Sequence, residues 1–351
     1  MTGKQLRNSI LQWAIQGKLV PQDPNDEPAS VLLERIRAEK ARLVKEKKIK
    51  RDKNETIIFR GEDNSYYEKT LATGAVRCID DEIPFDIPQG WEWVRFRTIT
   101  RQITDGTHST PKYVENGVPF ISVKDMSSGT ICFNSTKFIS EDEHKILTAR
   151  CFPEKGDLLL SKVGTTGVPA LVNTETPFSI FVSIALIKFF NKCLNSDYLV
   201  YMILSPLVQE QAKKNTRGVG NKNWVLNAIS NTLLAIPPHK EQIRIVEKLC
   251  LLESHLNKYE NLELRFTHLK DNLLDRLKQS ILQEAIQGKL VPQIESEGTA
   301  KELLAEIRAE KKRLVKDGKL KKSAIANESR IFRGDDNKYY ENRNGKNVCI
   351  D

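Results

Sequence analysis

Residues 6–22 read LRNSILQWAIQGKLVPQ and residues 277–293 read LKQSILQEAIQGKLVPQ, in register without a gap. The likeness continues through IRAEKARLVK (36–45) and IRAEKKRLVK (307–316), then IFRGEDNSYYE (58–68) and IFRGDDNKYYE (331–341). It ends on Cys-Ile-Asp at 78–80 and again at 349–351. Solenoid units abut at periods of about 20 to 50 residues. Here a long segment of unrelated sequence separates the two copies, so the pattern is repeat, module, repeat, and the chain stops where a second module would begin.

Within the first copy, Leu6, Ile10, Trp13 and Ala14 recur at helical spacing, with Gly17 and Pro21 placed to stop the helix. QDPNDEPAS is turn chemistry. A second helix is expected from Ala29, with Val31, Leu32, Ile36 and Leu43 on one side. KEKKIKRDKNET reads as a solvated charge run, and residues 52–80 as irregular.

The middle changes character. IPFDIPQGWEW (83–93) reads as an entry loop. Short β-like runs follow at 118–123, 130–134, 156–163, 167–172 and 179–190, separated by Gly, Pro, Asn and Asp. Residues 198–213 read as one helix. From Glu241 to Gln287 there is neither proline nor glycine. Ile245, Leu252, Tyr259, Phe266 and Leu273 fall seven apart, with Leu249 and Leu256 at the companion position. A helix of about 45 residues would span roughly 70 Å. Its narrow apolar seam calls for a partner helix; the alternative is two shorter helices of one bundle.

The expected organisation is a helical repeat over 1–80, a compact domain over 81–240, a long spacer helix over 241–290, and a second repeat over 277–351 that overlaps the spacer's end. The fold class is α+β: one mixed α/β domain with a twisted sheet, plus long coiled-coil-forming helices.

No apolar run reaches the roughly 20 residues of a membrane span, and the polar N-terminus is no signal peptide. Cys78, Cys132, Cys151, Cys193, Cys250 and Cys349 form no C-x-x-C pair, which argues against zinc and disulfides and for a reducing cytoplasm. The net charge of +9 divides into +4 over residues 1–80, +2 over 81–240 and +3 over the rest. Such an even excess permits a polyanionic partner without demonstrating one. There is no phosphate-binding G-x-x-x-x-G-K-[ST], no H-E-x-x-H and no G-x-S-x-G. GVGN (218–221) lacks a strand–turn–helix context, and Pro237-Pro238 follows Ala235-Ile236 and not the Asn or Asp of an amino-methyltransferase motif. No catalytic residue, cofactor or metal site is expected. The chain reads as a binder.

Three polar loops of the middle domain carry the binding chemistry. DGTHSTPKY (105–113) supplies Thr107, His108, Ser109 and Lys112. SKVGTTG (161–167) supplies Lys162, Thr165 and Thr166, with two glycines that let backbone approach a ligand. KKNTRGVGNKN (213–223) supplies Lys213, Lys214, Arg217, Asn221, Lys222 and Asn223 without a single acid. With Lys124, these residue types suit phosphate contacts and base-edge hydrogen bonds.

IPQGWEWVRF (87–96), DGTHSTPKY, VPFISVKDM (118–126), GDLLLSKVGTTG (156–167), RGVGNKN (217–223) and IPPHKEQ (236–242), in this order, resemble a target-recognition domain of type I restriction-modification specificity (S) subunits. The repeats resemble that family's conserved regions. The resemblance implies a cytoplasmic, non-catalytic subunit that reads double-stranded DNA. Long antiparallel helices would dock methyltransferase (M) subunits, and restriction (R) subunits would join. That family usually carries two recognition domains and this chain carries one, so it resembles a half-length form. Two copies could pair their helix seams with twofold symmetry. The other readings are a truncated or inactive scaffold that binds methyltransferase subunits without reading DNA, and a single-chain nuclease or methyltransferase, disfavoured by the missing cofactor loop.

Overall fold

The computed structural model describes residues 1–126, 128–218, 222–326, 329–343 and 345–351. It divides into two compact units, Met1–Phe266 and Thr267–Asp351, and its fold is mixed α+β, with several small sheets and one long helix.

In the first unit, α1 (Gly3–Ile15) starts at a capping box in which Thr2 accepts from the Gln5 amide and the Gln5 side chain reaches back. It ends just before Gly17, whose φ of +68° is left-handed and suits glycine. α2 (Ala29–Lys45) follows. Both helices turn their apolar stripes inward: Ile10, Leu11, Ala14 and Ile15 on α1, and Leu32, Leu33 and Ile36 on α2, are buried.

Residues 52–80, expected to be irregular, instead form an antiparallel sheet of β1 (Thr56–Arg60), β2 (Tyr66–Thr70) and β3 (Val76–Cys78). The β1–β2 turn passes through Asn64 at φ 65°. Only Ile58 and Glu68 of these strands are buried, so the alternation that betrays a half-buried strand is almost absent from the sequence.

The module then runs β4 (Glu92–Arg95), β5 (Thr100–Asp105), β6 (Tyr113–Val114), β7 (Val118–Ile121), β8 (Lys137–Ile139) and α3 (Glu141–Thr148). β9 (Leu158–Ser161), β10 (Pro169–Leu171), β11 (Ser179–Ile180) and β12 (Ile184–Phe189) follow. Then come α4 (Ser196–Leu204), α5 (Pro206–Asn215), β13 (Thr216–Arg217), β14 (Asn223–Trp224), α6 (Leu226–Ser230) and β15 (Leu233–Ile236). One four-stranded sheet has the order β10-β9-β12-β5 and a second β11-β7-β8-β6. Short ladders join β15 to β4 and β13 to β14.

Three expected elements differ. Residues 130–134 form no strand; their backbone is tied locally, with the Cys132 amide donating to the Asp125 carbonyl at 2.8 Å. The run at 179–190 is two strands, because a turn at 181–183 carries the chain from one sheet to the other. The helix at 198–213 breaks at Ser205, since Pro206 has no N–H and requires extended backbone before it.

α7 (His239–Ile286) is a single helix of 48 residues. Its start is anchored by IPPHKEQ: Glu241 accepts from Gln22 Nε2 (2.6 Å) and Trp91 Nε1 (2.9 Å), and Gln242 bonds the Asn195 amide and the Pro237 carbonyl. α1 lies antiparallel along α7's first half. Gln22 meets Glu241 at one end, Arg7 bonds Asn257 at 2.8 Å, and Tyr259 Oη donates to the Met1 carbonyl at the other. The seam residues therefore divide. Ile245, Leu249 and Leu256 are buried and Leu252 half-buried, whereas Tyr259, Phe266 and Leu273 are exposed.

The largest core is shared by the first repeat, the module and α7, so residues 1–80 and 81–240 pack as one body. Charge pairs tie them further. Arg95 on β4 makes two 2.9 Å bonds to Glu68 of β2 and a 2.7 Å bond to Glu82, while buried Lys40 of α2 reaches Glu55 at 2.7 Å and the Arg97 carbonyl at 3.0 Å. A smaller core (Ile121, Met126, Leu159, Phe178, Ile180, Leu186) underlies the second sheet.

In the second unit, α8 (Ala300–Lys316) is capped by a Thr299–Glu302 box, and α9 (Ser323–Ala326) leads to the antiparallel sheet β16 (Arg330–Arg333), β17 (Tyr339–Arg343) and β18 (Lys346–Cys349). The repeat is reproduced in side-chain detail: Tyr340 bonds Asp336 at 2.8 Å as Tyr67 bonds Asp63, and Asn337 has φ 66°. Burial is not reproduced. Leu303, Leu304 and Ile307 are 58%, 51% and 43% exposed, against 3%, 2% and 0% for Leu32, Leu33 and Ile36.

Candidate nucleic-acid interface

β5 and β9 flank β12, and both run antiparallel to it, so their C-terminal ends emerge at the same edge of the sheet. Loop 1 (105–113) leaves from one and loop 2 (161–167) from the other. The turn at 181–183 lies between them: the Thr107 amide donates to the Ile180 carbonyl, the Val182 amide to the Thr107 carbonyl, and the Lys162 amide to the Ser183 carbonyl. Loop 3 (213–223) joins through backbone as well. Trp224 N donates to the Lys162 carbonyl (2.8 Å), Gly164 N donates to the Lys222 carbonyl (3.1 Å), and Val163 and Asn223 form a β-bridge. Segments about 60 to 75 residues apart thus meet.

Gly106 makes the close approach of loop 1 possible. A Cβ there would stand 2.0 Å from the Ile180 carbonyl oxygen and 2.5 Å from the Phe181 carbonyl carbon, backbone atoms that cannot rotate away. Gly106→Ala is expected to destabilise the protein by about 2 kcal/mol, as overpacking does, and a thermal melt unchanged from wild type would refute that contact.

Most of the sequence-derived residues stand at this edge. His108, Ser109, Lys112, Lys124, Thr165, Lys213, Lys214, Arg217 and Lys222 are exposed, and Thr107, Thr166 and Asn223 half-exposed. Among the described residues, Lys112, Lys213, Lys214, Arg217 and Lys222 have no carboxylate within ion-pair distance. Their charge is therefore available to an anion. Thr166, Lys213 and Lys222 line a cavity of about 330 Å³ between loops 2 and 3. Asn221 lies outside the described residues.

Lys162 is the exception. Its side chain is 4% exposed and its Nζ lies 3.2 Å from Asp105 Oδ2. A phosphate could not reach it, so the expectation of a direct DNA contact there is corrected: the lysine turns under the loops because a buried carboxylate holds it.

Arg150, Gln209 and Cys151, which also shape the edge, carried no motif. Asp105 also meets His108 Nε2 (3.3 Å) and Arg150 Nη2 (3.3 Å), and Arg150 donates to the Asp105 and Gly106 carbonyls at 2.8 and 2.7 Å. Gln209 of α5 donates to the Gly167 carbonyl at 2.8 Å and to the Ile203 carbonyl at 2.7 Å, pinning the end of loop 2. Cys151, behind loop 1, is buried, and that burial pushes its thiol up to about 12, so it stays protonated. Among the described residues no group of three or more His, Cys, Asp or Glu is placed to hold a metal, and no helix is long and apolar enough to cross a membrane.

Residues 88–265, which include all three loops and the first half of α7, match the family model of the type I restriction modification DNA specificity domain. The chain belongs to that family. It is 31% identical to the type I restriction enzyme EcoAI specificity subunit of Escherichia coli, over 91% of this chain and 57% of that protein. To the EcoEI specificity subunit of the same organism it is also 31% identical, with the same coverage. This specificity-family chain therefore spans a little over half the length of those relatives. A solved HsdS subunit from Thermoanaerobacter tengcongensis is 23% identical, over 59% of this chain and 47% of that one, with a TM-score of 0.40.

Proposed function

We propose that this chain is the DNA-reading, non-catalytic subunit of a type I restriction-modification complex, working with separate methyltransferase and restriction subunits. The observation that carries the reading is the meeting of three polar loops at one sheet edge, with exposed cations on each of loops 1 and 3 that no carboxylate among the described residues neutralises. Lys112, Lys213, Lys214, Arg217 and Lys222 would hold the phosphate backbone. Thr107, His108, Ser109, Thr165, Thr166 and Asn223 would face base edges, and Lys124 flanks them on the next turn. Methyl transfer, with the target base extruded from the stack, would fall to the partner.

The second repeat favours a further reading, in which two copies act together. Its Leu303, Leu304, Ile307 and Ile331 are exposed, while their counterparts Leu32, Leu33, Ile36 and Ile58 cover a recognition domain. A second copy, through these faces and the exposed end of the α7 seam, would bring a second reader under twofold symmetry.

Co-expression of the full chain with its methyltransferase subunit, followed by mapping of methylated adenines across the host genome, tests both. Methylation at one bipartite palindromic motif is expected. A non-palindromic motif would refute the symmetric pair, and a soluble complex that leaves adenines unmethylated would make the chain a scaffold.

A further inference from the structure

We propose that the buried Asp105–Lys162 ion pair is a specificity-determining clamp, which sets the spacing between loops 1 and 2 and so the base steps they can address together. The inference rests on the DNA-reading function proposed above. β5 and β9 are separated by β12, and neighbouring strands lie about 4.8 Å apart, so their ends stand roughly 10 Å from each other, which is more than one hydrogen bond can span. The lysine bridges that gap. Its backbone belongs to loop 2, where its amide donates to the Ser183 carbonyl and its carbonyl accepts from Trp224. Its side chain crosses the end of β12 to Asp105 Oδ2 at 3.2 Å. Asp105 is the last residue of β5, paired with Ala185, and Ala185 is paired in turn with Leu160, two residues before Lys162.

The pair is 4% and 5% exposed, so neither charge can trade its partner for water. Loop 3 shares the constraint because the Val163–Asn223 bridge hangs from the same segment. Lys162 therefore acts through the loops, as a positioning residue, and does not touch DNA. Arg150 and His108 remain beside Asp105 when the lysine is removed, which leaves its carboxylate compensated and lets a variant fold.

The test uses the full chain assembled with its methyltransferase subunit, on duplexes carrying the methylated motif and on duplexes with single mismatches. Lys162→Met is expected to lower the ratio of specific to mismatched affinity by about tenfold, the worth of one base contact, while the slope of log affinity against log salt stays that of wild type. Asp105→Asn/Lys162→Met, which removes both charges, is expected to lose the same factor and no more. A slope shallower by about one with an unchanged ratio would make Lys162 a phosphate contact and overturn the proposal. An unchanged ratio in both variants, each folded by thermal melt, would also overturn it. So would two variants that fail to fold, since the pair would then hold the domain and not the loop spacing. If wild type itself shows no ratio, the DNA-reading function fails first; a wild-type ratio that survives in the variants sinks only the clamp.

Discussion

Replacing Arg217 and Lys222 together by alanine should flatten the salt dependence of duplex binding by nearly two units and weaken binding roughly 30-fold at 0.15 M salt. Each cation that neutralises a phosphate releases condensed counterions into bulk solution. That release contributes a slope of about 0.9 per contact, and at physiological salt two contacts compound to the factor given. Both side chains are exposed and neither has a carboxylate partner among the described residues, so their loss leaves no buried charge and the melting temperature should not move. Binding should weaken equally on all sequences, because backbone contacts position the duplex without reading it. A slope and affinity equal to wild type would remove loop 3 from the interface and leave the proposed function without its main cation cluster. Loss of discrimination with an unchanged slope would place these residues on bases.

The loops and their order are legible in the sequence because glycine, serine, threonine and lysine in short runs have few structural uses other than exposed turns. The long helix is legible because proline and glycine are absent from it over more than forty residues. What the sequence conceals is the partner of each surface. The α7 seam has one period throughout, yet Ile245 is fully buried and Phe266 is 69% exposed: α1 covers the first half, where Arg7 meets Glu253 and Asn257, residues that carry no helical pattern of their own. The hairpin at 56–70 escapes for a related reason, since strands with one buried residue each show no alternation. Lys162 shows the limit most sharply. In the sequence it is one more cation on a glycine-rich loop; only β5, two strands across the sheet, reveals the carboxylate that claims it.

The joint between the first repeat and the recognition domain should be the acid-sensitive point of the first unit, and Glu68→Gln should expose it. Glu68 is 6% exposed. Burial alone would raise its carboxyl, but hydrogen bonds from Arg95 and the charge behind them outweigh that and hold it at about 2, against 4.5 for a free side chain. Because the folded value is the lower one, this group's stabilisation is complete above the ordinary carboxylate range and is lost as pH falls from about 4.5 towards 2. With 1.36 kcal/mol for each unit, the loss is about 3 kcal/mol. Glu82, which shares Arg95, is shifted the same way, whereas buried Glu241 and half-buried Glu92 are raised and act in the opposite sense. The raw pH profile of stability therefore mixes signs, and the difference between wild type and Glu68→Gln isolates the one group. That difference should be about 3 kcal/mol at pH 7, since the amide leaves Arg95 buried with Glu82 as its one carboxylate among the described residues. It should shrink steadily below pH 4.5. Arg77, whose side chain is 57% exposed, should cost under about 1 kcal/mol when replaced by alanine, because solvent screens it. Urea unfolding of the three proteins between pH 7 and pH 3 reads all of this. A difference that stays constant down to pH 3 would mean that Glu68 is not held ionised by Arg95, and that the apolar faces of α1 and α2 alone keep the repeat on its domain.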